Sequence, residues 1–234
     1  MAEFFNEIAR QFSENFIEGD RWRFLTNGLL VTLKVTLFAA LIGIVLGFLV
    51  GLVRANEERS GKKNPLTWLC GIYVTVIRGT PVMVQLLIIY YVVFMSVNID
   101  QALTAIIAFG LNSGAYVSEI FRSGILSVDY GQTEAGRSLG LSSAQTMTRI
   151  ILPQAIKTAL PALGNEMITL LKETSVVGYI GLVDLTKAAA IISSRTMSAF
   201  FPLIAIALIY LVMVVGLTKL LNIFERRLRQ SDKR

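Results

Sequence analysis

Histidine is absent from this sequence of 234 residues, and cysteine occurs only once, as Cys70. Without histidine the chain has no Ser-His triad, no histidine general base and no histidine metal ligand. A single cysteine forms neither an internal disulfide nor a cysteine zinc site. We therefore expect no catalytic residue, no bound metal and no cofactor.

Charged residues are also scarce, at 16% of the chain, whereas 54% of its residues are apolar and the mean hydropathy is +0.63. A typical soluble domain is about one quarter charged. The composition therefore predicts an integral membrane protein. At ~20 residues for each span, a chain of this length can hold about five spans.

Five apolar segments are long enough to cross a membrane as helices. They cover residues 29–53, 66–96, 101–126, 159–176 and 199–223. The second contains Arg-Gly-Thr-Pro at 78–81, and a kink is expected there because proline removes a backbone donor. Residues 177–198 are expected to form a short re-entrant or surface piece.

Gly43, Gly47 and Gly51 stand four residues apart and so share one face of the first span. Small residues at this spacing allow a second helix to approach closely. Glycine is also common in membrane helices in general, so the sequence leaves both interpretations open.

Lysine and arginine are concentrated on one side of these spans. Twelve of them lie in segments 54–63, 127–158 and the tail from 224, whereas the opposite side holds five. By the positive-inside rule the richer side is cytoplasmic, which places the amino terminus outside and the carboxyl terminus inside. Topology then explains the net charge of +6, and we expect no nucleic-acid partner.

The first 28 residues lack the basic start and apolar run of a signal peptide. Large apolar residues recur among them at helical spacing, at Phe4, Phe5, Ile8, Phe12 and Phe16. This pattern predicts an external amphipathic helix at the membrane surface. A partly ordered tail is the alternative.

A connector as long as segment 127–158 is usually functional, and this one contains a motif of seven residues. They are Glu134, Ala135, Gly136, Gly140, Ile150, Leu152 and Pro153. The motif resembles the EAA loop of the permease subunits of type I ABC importers, in which Glu-Ala-Ala is followed by Gly and then by Ile-x-Leu-Pro. Gly136 stands where the family usually has a second alanine.

The residues of this loop also have local preferences. Glu134 lies near the start of a predicted helix, where a carboxylate complements the helix dipole, and Gly140 can end that helix in a left-handed turn. A second short helix is expected from about Ser142 to Leu152, ending before Pro153. Two short helices joined by a glycine would form a compact knob.

Three further stretches resemble the branch of this family that takes up polar amino acids, at residues 76–91, 112–125 and 164–181. The resemblance covers residues 24–226. It implies an all-α integral membrane protein with a five-span, MetI-like ABC importer permease core. An external segment, 1–23, would precede this core and a basic cytoplasmic tail, 227–234, would follow it.

The chain has no phosphate-binding loop of its own, because Gly61-Lys62 lacks the first glycine and the hydroxyl residue of that motif. The resemblance therefore implies two copies of a separate ABC ATPase subunit, onto which the knob docks. It also implies a second permease subunit, identical or closely related, and an external binding protein that delivers a polar amino acid. Transport would proceed by alternating access in a bacterial plasma membrane.

Ionisable side chains inside a span cost ~3 kcal/mol or more unless they are paired or face a cavity. The candidate residues of a substrate path are Arg78, Thr80, Pro81, Gln85, Asn165, Glu166, Thr169, Lys172 and Glu173. Glu166 or Glu173 suits the ammonium of an amino acid, and unpaired glutamates would favour arginine, lysine or histidine; Arg78 or Lys172 suits its carboxylate. If Arg78 and Lys172 instead neutralise the glutamates, glutamine, glutamate or cystine fits equally well.

Two other groups of charged residues are expected to act more locally. Glu119 and Arg122 stand three residues apart on the third span and can pair with each other. In the outer segment, Asp184, Lys187 and Arg195 are candidate contacts for the binding protein, with a solvated loop as the alternative.

Three other classes of protein fit the sequence less well. An ion-coupled secondary transporter would show paired broken helices in an internal repeat, and Arg-Gly-Thr-Pro occurs only once. An intramembrane aspartyl enzyme needs aspartates inside its spans, and none of the five aspartates lies there. No repeated filter sequence supports a channel.

Overall fold

The computed structural model describes residues 1–61 and 64–231, and within these ranges the chain folds into helices and short turns without a β-strand. The α-helices are α1 (Ala2–Phe12), α2 (Trp22–Ser60), α3 (Pro65–Gly79), α4 (Val82–Ile88), α5 (Gln101–Leu126), α6 (Tyr130–Ser138), α7 (Ser143–Thr146), α8 (Leu152–Glu173), α9 (Leu185–Thr196) and α10 (Phe200–Ser231). The last three residues of the predicted tail lie outside the described residues, as do Lys62 and Lys63 of the basic segment 54–63.

Three helices are long and apolar enough to cross a membrane unbroken, namely α2, α5 and α10. Two further candidate spans are bent pairs of helices. The first pair, α3 and α4, is bent by 109°, and the second, the helical run from Ser143 to Ile180 together with α9, is bent by 51°. Counting each pair as one span gives the predicted five, although the first bend is far sharper than the kink expected at 78–81.

α2 and α5 form the central contact of the fold. A Cβ atom on Gly47 of α2 would lie 2.5 Å from Val117 Cγ1 of α5, and one on Gly43 would lie 2.9 Å from Ser113 Oγ. Only glycine permits so close an approach, so of the two interpretations that the sequence left open, the close approach of a second helix is the one observed. As the residue number rises along α2 from Gly43 to Gly47, the residue contacted on α5 rises from Ser113 to Val117, so the two helices are parallel. The bent α3–α4 pair runs back between the end of α2 and the start of α5.

The break between α3 and α4 is held by one glutamine. Thr80 and Pro81 adopt extended backbone, so α3 stops at Gly79. Gln85 Nε2 donates hydrogen bonds to the carbonyl oxygens of Ile77 and Thr80 at 2.7 and 3.0 Å. Carbonyl groups freed by the break therefore find a donor inside the protein, as a membrane interior demands.

The expectation that a helix ends before Pro153 is wrong. α7 continues through a π-type turn, Met147–Ile151, directly into α8. A proline ring clashes with the carbonyl four residues earlier in a regular α-helix, and the wider turn relieves that clash. The fourth span therefore rises straight out of the connector and begins before the expected residue 159.

α1 has the predicted amphipathic character. Phe4 and Phe12 are exposed on one side of the helix. On the other side, Arg10 donates a hydrogen bond to Glu7 at 2.7 Å. This bond, with a second from Gln11, lowers the pKa of Glu7 to about 2. The Glu7–Arg10 pair therefore marks the polar face of α1.

The segment after α1 is tied to the bundle. Asn15 and Phe16 are buried, and Asn15 Oδ1 accepts a hydrogen bond from Thr196 Oγ1 of α9 at 2.9 Å. α9 itself packs on α2 and α10, with Leu185 and Ile192 fully buried. The part of the first segment that follows α1 is thus packed against the bundle. Residues 177–198 contain a buried helix, which contradicts a surface piece and is compatible with the re-entrant piece that was the other expectation.

Candidate functional site

The connector folds into the predicted knob of two helices joined by a glycine. Asp129 caps α6 by accepting a hydrogen bond from the backbone N–H of Gly131 at 2.6 Å. Gly140 follows α6 with φ +81°, the left-handed conformation expected for it. Ser142 and Gln145 then form a reciprocal capping box at the start of α7.

Gly136 lies where the two helices of the knob touch. A Cβ atom at this position would lie 2.8 Å from Thr146 Cγ2 and 3.2 Å from Ile150 Cδ1. Glycine in place of alanine therefore lets α6 pack closer to the following helix. The expectation that Glu134 lies near the start of a helix is wrong, because Glu134 is the fifth of the 9 residues of α6. Glu134 and Ala135 are exposed and available to a partner.

The remaining motif residues serve the interior of the knob more than its surface. Ile150 and Leu152 pack against a buried cluster that includes Ile125 at the end of α5, and Pro153 is exposed. Leu139, which was not among the predicted residues, is 81% exposed between the two helices of the knob. An apolar residue directly before the glycine of the motif was the signal that could have found it.

Arg59 fastens the knob to α2. Its Nη2 atom donates to the carbonyl oxygens of Ile125 and Val128 at 2.5 and 2.7 Å, and its Nη1 atom donates to Thr133 Oγ1 at 2.8 Å. One side chain thereby joins α2, the end of α5 and α6. The sequence showed Arg59 only as a charge in a connector, since its partners lie more than sixty residues away.

A cluster of charges joins three helices beside the knob. Glu119 of α5 binds Arg122 at 2.8 Å, which is the predicted pair. The same carboxylate also binds Arg54 of α2 and lies 3.9 Å from Arg78 of α3. Arg122 in turn binds Glu58 at 2.9 Å. Glu119 is therefore the centre of a structural network.

The alternative in which Arg78 and Lys172 neutralise Glu166 and Glu173 does not occur in this conformation. Arg78 makes the ion pair with α5 given above, and over residues 1–61 and 64–231 neither glutamate forms a salt bridge. Glu166 Oε1 instead accepts a hydrogen bond from Ser113 Oγ at 3.1 Å. The carboxylate is positioned by a neutral donor.

One face of α8 is polar and open along the membrane-spanning part of the helix. Asn165, Thr169 and Lys172 are exposed, and Glu166 and Glu173 beside them are partly buried. The strip predicted from the sequence thus lies on the surface of this chain. Inside a membrane such a surface requires water or another protein against it.

A cavity of about 490 Å³ opens beside this face, between α5 and α8. Its walls include Glu166, Glu119, Arg78 and Tyr116, and the Arg78 guanidinium lies 5.3 Å from the centre of the Tyr116 ring. Two carboxylates and one guanidinium therefore share a space of the size that holds small ligands.

The path residues predicted at the break between α3 and α4 have a different setting. Thr80 and Pro81 are exposed. Gln85 is 8% exposed, and its Oε1 atom accepts a hydrogen bond from Asn112 Nδ2 at 2.9 Å, so its amide is occupied at both ends. Asn112 precedes Ser113 on α5, and this pair links the break to the carboxylate of α8.

At the opposite end of the bundle, the prediction that Asp184 contacts a binding protein is wrong. Asp184 is fully buried and caps α9 by accepting hydrogen bonds from the backbone N–H groups of Thr186 and Lys187. The first N–H of α9 donates to Thr32 Oγ1 of α2 at 3.2 Å, which explains the burial. Lys187 and Arg195 are exposed.

Comparison with known proteins matches residues 43–230 to the family described as "Binding-protein-dependent transport system inner membrane component". The arginine transport system permease protein ArtQ of Bacillus subtilis (strain 168) is 40% identical, over 89% of this chain and 94% of its own length. The putative glutamine transport system permease protein GlnP of Rickettsia bellii (strain RML369-C) is 39% identical, over 88% and 93%. The L-cystine transport system permease protein TcyB of Bacillus subtilis is 37% identical, over 92% and 90%.

Chains in solved structures of ABC transporters also resemble this chain. A crystal structure of an amino acid ABC transporter with histidines contains a chain 46% identical to this one, with a TM-score of 0.79 over 88% of this chain and 94% of that chain. An inward-facing MetNI methionine ABC transporter has a TM-score of 0.76, over 90% of this chain and 99% of that chain. It is 19% identical, so its likeness concerns the fold alone.

Proposed function

The chain belongs to the family of inner membrane components of binding-protein-dependent transport systems, and we propose that it conducts a cationic amino acid. It is the membrane-spanning permease subunit of an ABC amino-acid importer, as its relatives are. Subunits of this family work with an ATPase and a binding protein. The secondary-transporter alternative is not favoured, because these relatives are ABC permeases.

The observation that carries the choice of a cation is the carboxylate of Glu166, which has no salt bridge among the described residues and lines the 490 Å³ cavity. A carboxylate within a span is stabilised by a positive charge that enters beside it. Arg78, on the same cavity, suits the carboxylate of the amino acid. The similarity to ArtQ, named for arginine, supports the same choice.

We place the substrate path along the open face of α8. Asn165, Thr169 and Lys172 would face it together with Glu166 and Glu173, whereas Gln85 would support the break beside it. A second permease subunit, identical or closely related, would cover this face and close the path. A polar surface inside a membrane needs such a cover, which supports a dimer of permeases.

We assign coupling to the knob. Its exposed residues Glu134, Ala135 and Leu139 would dock on one of two ATPase subunits. Because Arg59 joins the knob to α2 and α5, movement of the knob would turn the α2–α5 pair as one body. Rocking of two such bodies would open the path alternately to each side of the membrane.

The distribution of charge supports an orientation with the amino terminus outside and the carboxyl terminus in the cytoplasm of a bacterial cell. In this orientation the exposed phenylalanines of α1 would lie in the external surface of the plasma membrane, and an amphipathic helix is stable at such an interface. The chain itself would perform no covalent chemistry, and its ATPase partner would hydrolyse ATP.

The proposal is tested by uptake into proteoliposomes that contain the permease, its ATPase and its binding protein. Labelled arginine, lysine, histidine, glutamine, glutamate and cystine are supplied in turn, with ATP inside or absent. We expect ATP-dependent uptake of a cationic amino acid. Uptake of glutamine or cystine alone would overturn the choice of a cation, and uptake that follows an ion gradient without ATP would overturn the importer.

Coupling through the knob is tested with Gly140→Asp in the same proteoliposomes. Gly140 and Gly61 both have positive φ and open surroundings, so Gly61→Asp imposes similar backbone strain at the end of α2, outside the two helices of the knob. We expect Gly140→Asp and Glu134→Arg to lower uptake and transport-coupled ATP hydrolysis while the permease remains inserted, whereas Gly61→Asp retains both. Unchanged uptake by Gly140→Asp would remove the knob from the mechanism.

A further inference from the structure

Beneath the knob lies a second cavity that the transport path does not use. Its volume is about 110 Å³, and the end of α2, α6 and the start of the α7–α8 run enclose it. Arg59, Arg137, Thr146, Tyr130 and Ser143 line it. It shares no lining residue with the 490 Å³ cavity, so it is a separate space.

Arg59 brings to this cavity a charge that forms no salt bridge within residues 1–61 and 64–231. A guanidinium has five N–H donors, and the hydrogen bonds of Arg59 go to two carbonyl oxygens and one hydroxyl. Its Nε atom is buried and has no hydrogen-bond partner in the described part of the chain. The Arg59 side chain is partly exposed, and its free Nε–H leaves one charged donor that an oxyanion can accept from.

Two further groups on the wall of this cavity point to the same kind of occupant. Thr146 is 1% exposed, and its hydroxyl lacks a partner among residues 1–61 and 64–231. Buried hydroxyl groups without a partner are rare in proteins. Arg137 adds a second guanidinium and, within the same ranges, forms no salt bridge.

We propose that this cavity binds a phosphate-type oxyanion between Arg59 and Arg137, with Thr146 donating its hydroxyl. A space of about 110 Å³ has room for one small anion or a few waters but not for a nucleotide. The anion is either free inorganic phosphate or the phosphate of an anionic lipid at the membrane surface. Bound there, it joins α2 to both helices of the knob, independently of the transported amino acid.

The test measures saturable binding of radiolabelled inorganic phosphate to the purified permease–ATPase complex in detergent, without nucleotide and with ionic strength held constant by chloride. Arg137→Gln and the isosteric Thr146→Val remove donors, whereas Arg149→Gln removes an exposed charge of the same connector outside the cavity. We expect the dissociation constant to rise about tenfold in the first two variants, as for loss of a charge-assisted hydrogen bond. Arg149→Gln should bind as the unaltered protein does.

The source of the anion is resolved in nanodiscs of phosphatidylglycerol or phosphatidylcholine. If a lipid phosphate occupies the site, phosphatidylglycerol blocks binding of free phosphate and is retained through purification by the unaltered protein but not by Arg137→Gln. If free phosphate occupies it, binding persists in both lipids. Equal binding by the unaltered protein and Arg137→Gln overturns the proposal, as does the absence of both phosphate binding and Arg137-dependent lipid retention.

Discussion

The contact between α2 and α5 and the open face of α8 both lie inside the membrane, yet they are built in opposite ways. Between α2 and α5, glycines bring the backbones together, as at Gly47 against Val117, and charges are paired, as at Glu119. On the face of α8, Asn165 and Thr169 are exposed and the carboxylate of Glu166 has no salt bridge among the described residues.

The difference indicates which surface keeps its neighbours during transport. Close contact between backbones and shared ion pairs resist rearrangement, because closely packed interiors do not deform continuously. A polar face without fixed partners can exchange water, substrate and a second subunit at little cost. Alternating access needs both kinds of surface, one to move as a rigid body and one to line the changing path.

The largest expected effect follows from breaking the α2–α5 contact with Gly47→Leu. The first added atom would already lie 2.5 Å from Val117 Cγ1 and 2.8 Å from the carbonyl oxygen of Gly114. Because one of these atoms belongs to the backbone of α5, a side-chain rotation cannot relieve the clash, and we expect destabilisation beyond the ~1–3 kcal/mol of ordinary overpacking. The variant should fail to give a monodisperse permease on size-exclusion chromatography in detergent.

Gly216→Leu in α10 is the matched control, because no atom lies within 4 Å of a Cβ at that position. The same exchange there should leave the thermal unfolding temperature unchanged or slightly higher, since leucine favours a helix more than glycine does. A folded, stable Gly47→Leu permease would show that the α2–α5 contact is not the rigid element of the fold.

The second effect concerns the charges beside that contact. Glu119→Gln would leave Arg54, Arg78 and Arg122 grouped without their shared carboxylate, and we expect a loss of about 2–4 kcal/mol of stability. Glu58→Gln is the control, because Glu58 binds Arg122 alone with its side chain 45% exposed and should cost under about 1 kcal/mol. Thermal unfolding in detergent measures both, and equal losses would contradict a central role for Glu119.

The knob could be predicted because its signals act locally. Asp129, Gly140 and Ser142 fix helix ends through groups within a few residues. The same reasoning failed at Pro153, where a π-type turn carries the chain past a residue that normally ends an α-helix. Local rules identify the proline but not the widened turn that accommodates it.

The contacts of the site could not be predicted, because tertiary structure chooses among partners that the sequence leaves equivalent. The sequence offered Arg78 the carboxylates of Glu166 and Glu173, and the fold brings it to Glu119 instead. On the sequence alone, Asp184 is expected to be a surface charge. In the fold, the start of α9 packs against Thr32, more than 150 residues earlier. The sequence therefore predicted where the polar side chains lie along the spans. Their interaction partners became known only from the packing of the helices.

The third expected effect concerns the carboxylate on the open face of α8. We expect Glu166→Gln to raise the KM for a cationic amino acid about tenfold, as for loss of one charge-assisted hydrogen bond. Its thermal unfolding temperature should stay close to that of the unaltered permease, because Ser113 can still donate to the amide oxygen. Proteoliposome uptake gives the KM; an unchanged KM with lowered stability would make Glu166 a structural residue.

The smallest expected effect comes from replacing threonine by valine, once in α2 and once on the open face of α8. Thr32 of α2 is fully buried, and its hydroxyl accepts the N–H of Leu185, so Thr32→Val leaves a buried donor unpaired and should cost about 1–2 kcal/mol. Thr169 on the open face of α8 is exposed, and Thr169→Val should change stability by less than about 0.5 kcal/mol in the isolated permease. If thermal unfolding shows Thr169→Val to be as costly as Thr32→Val, the face of α8 already has a fixed partner within this chain and cannot serve as an exchangeable surface.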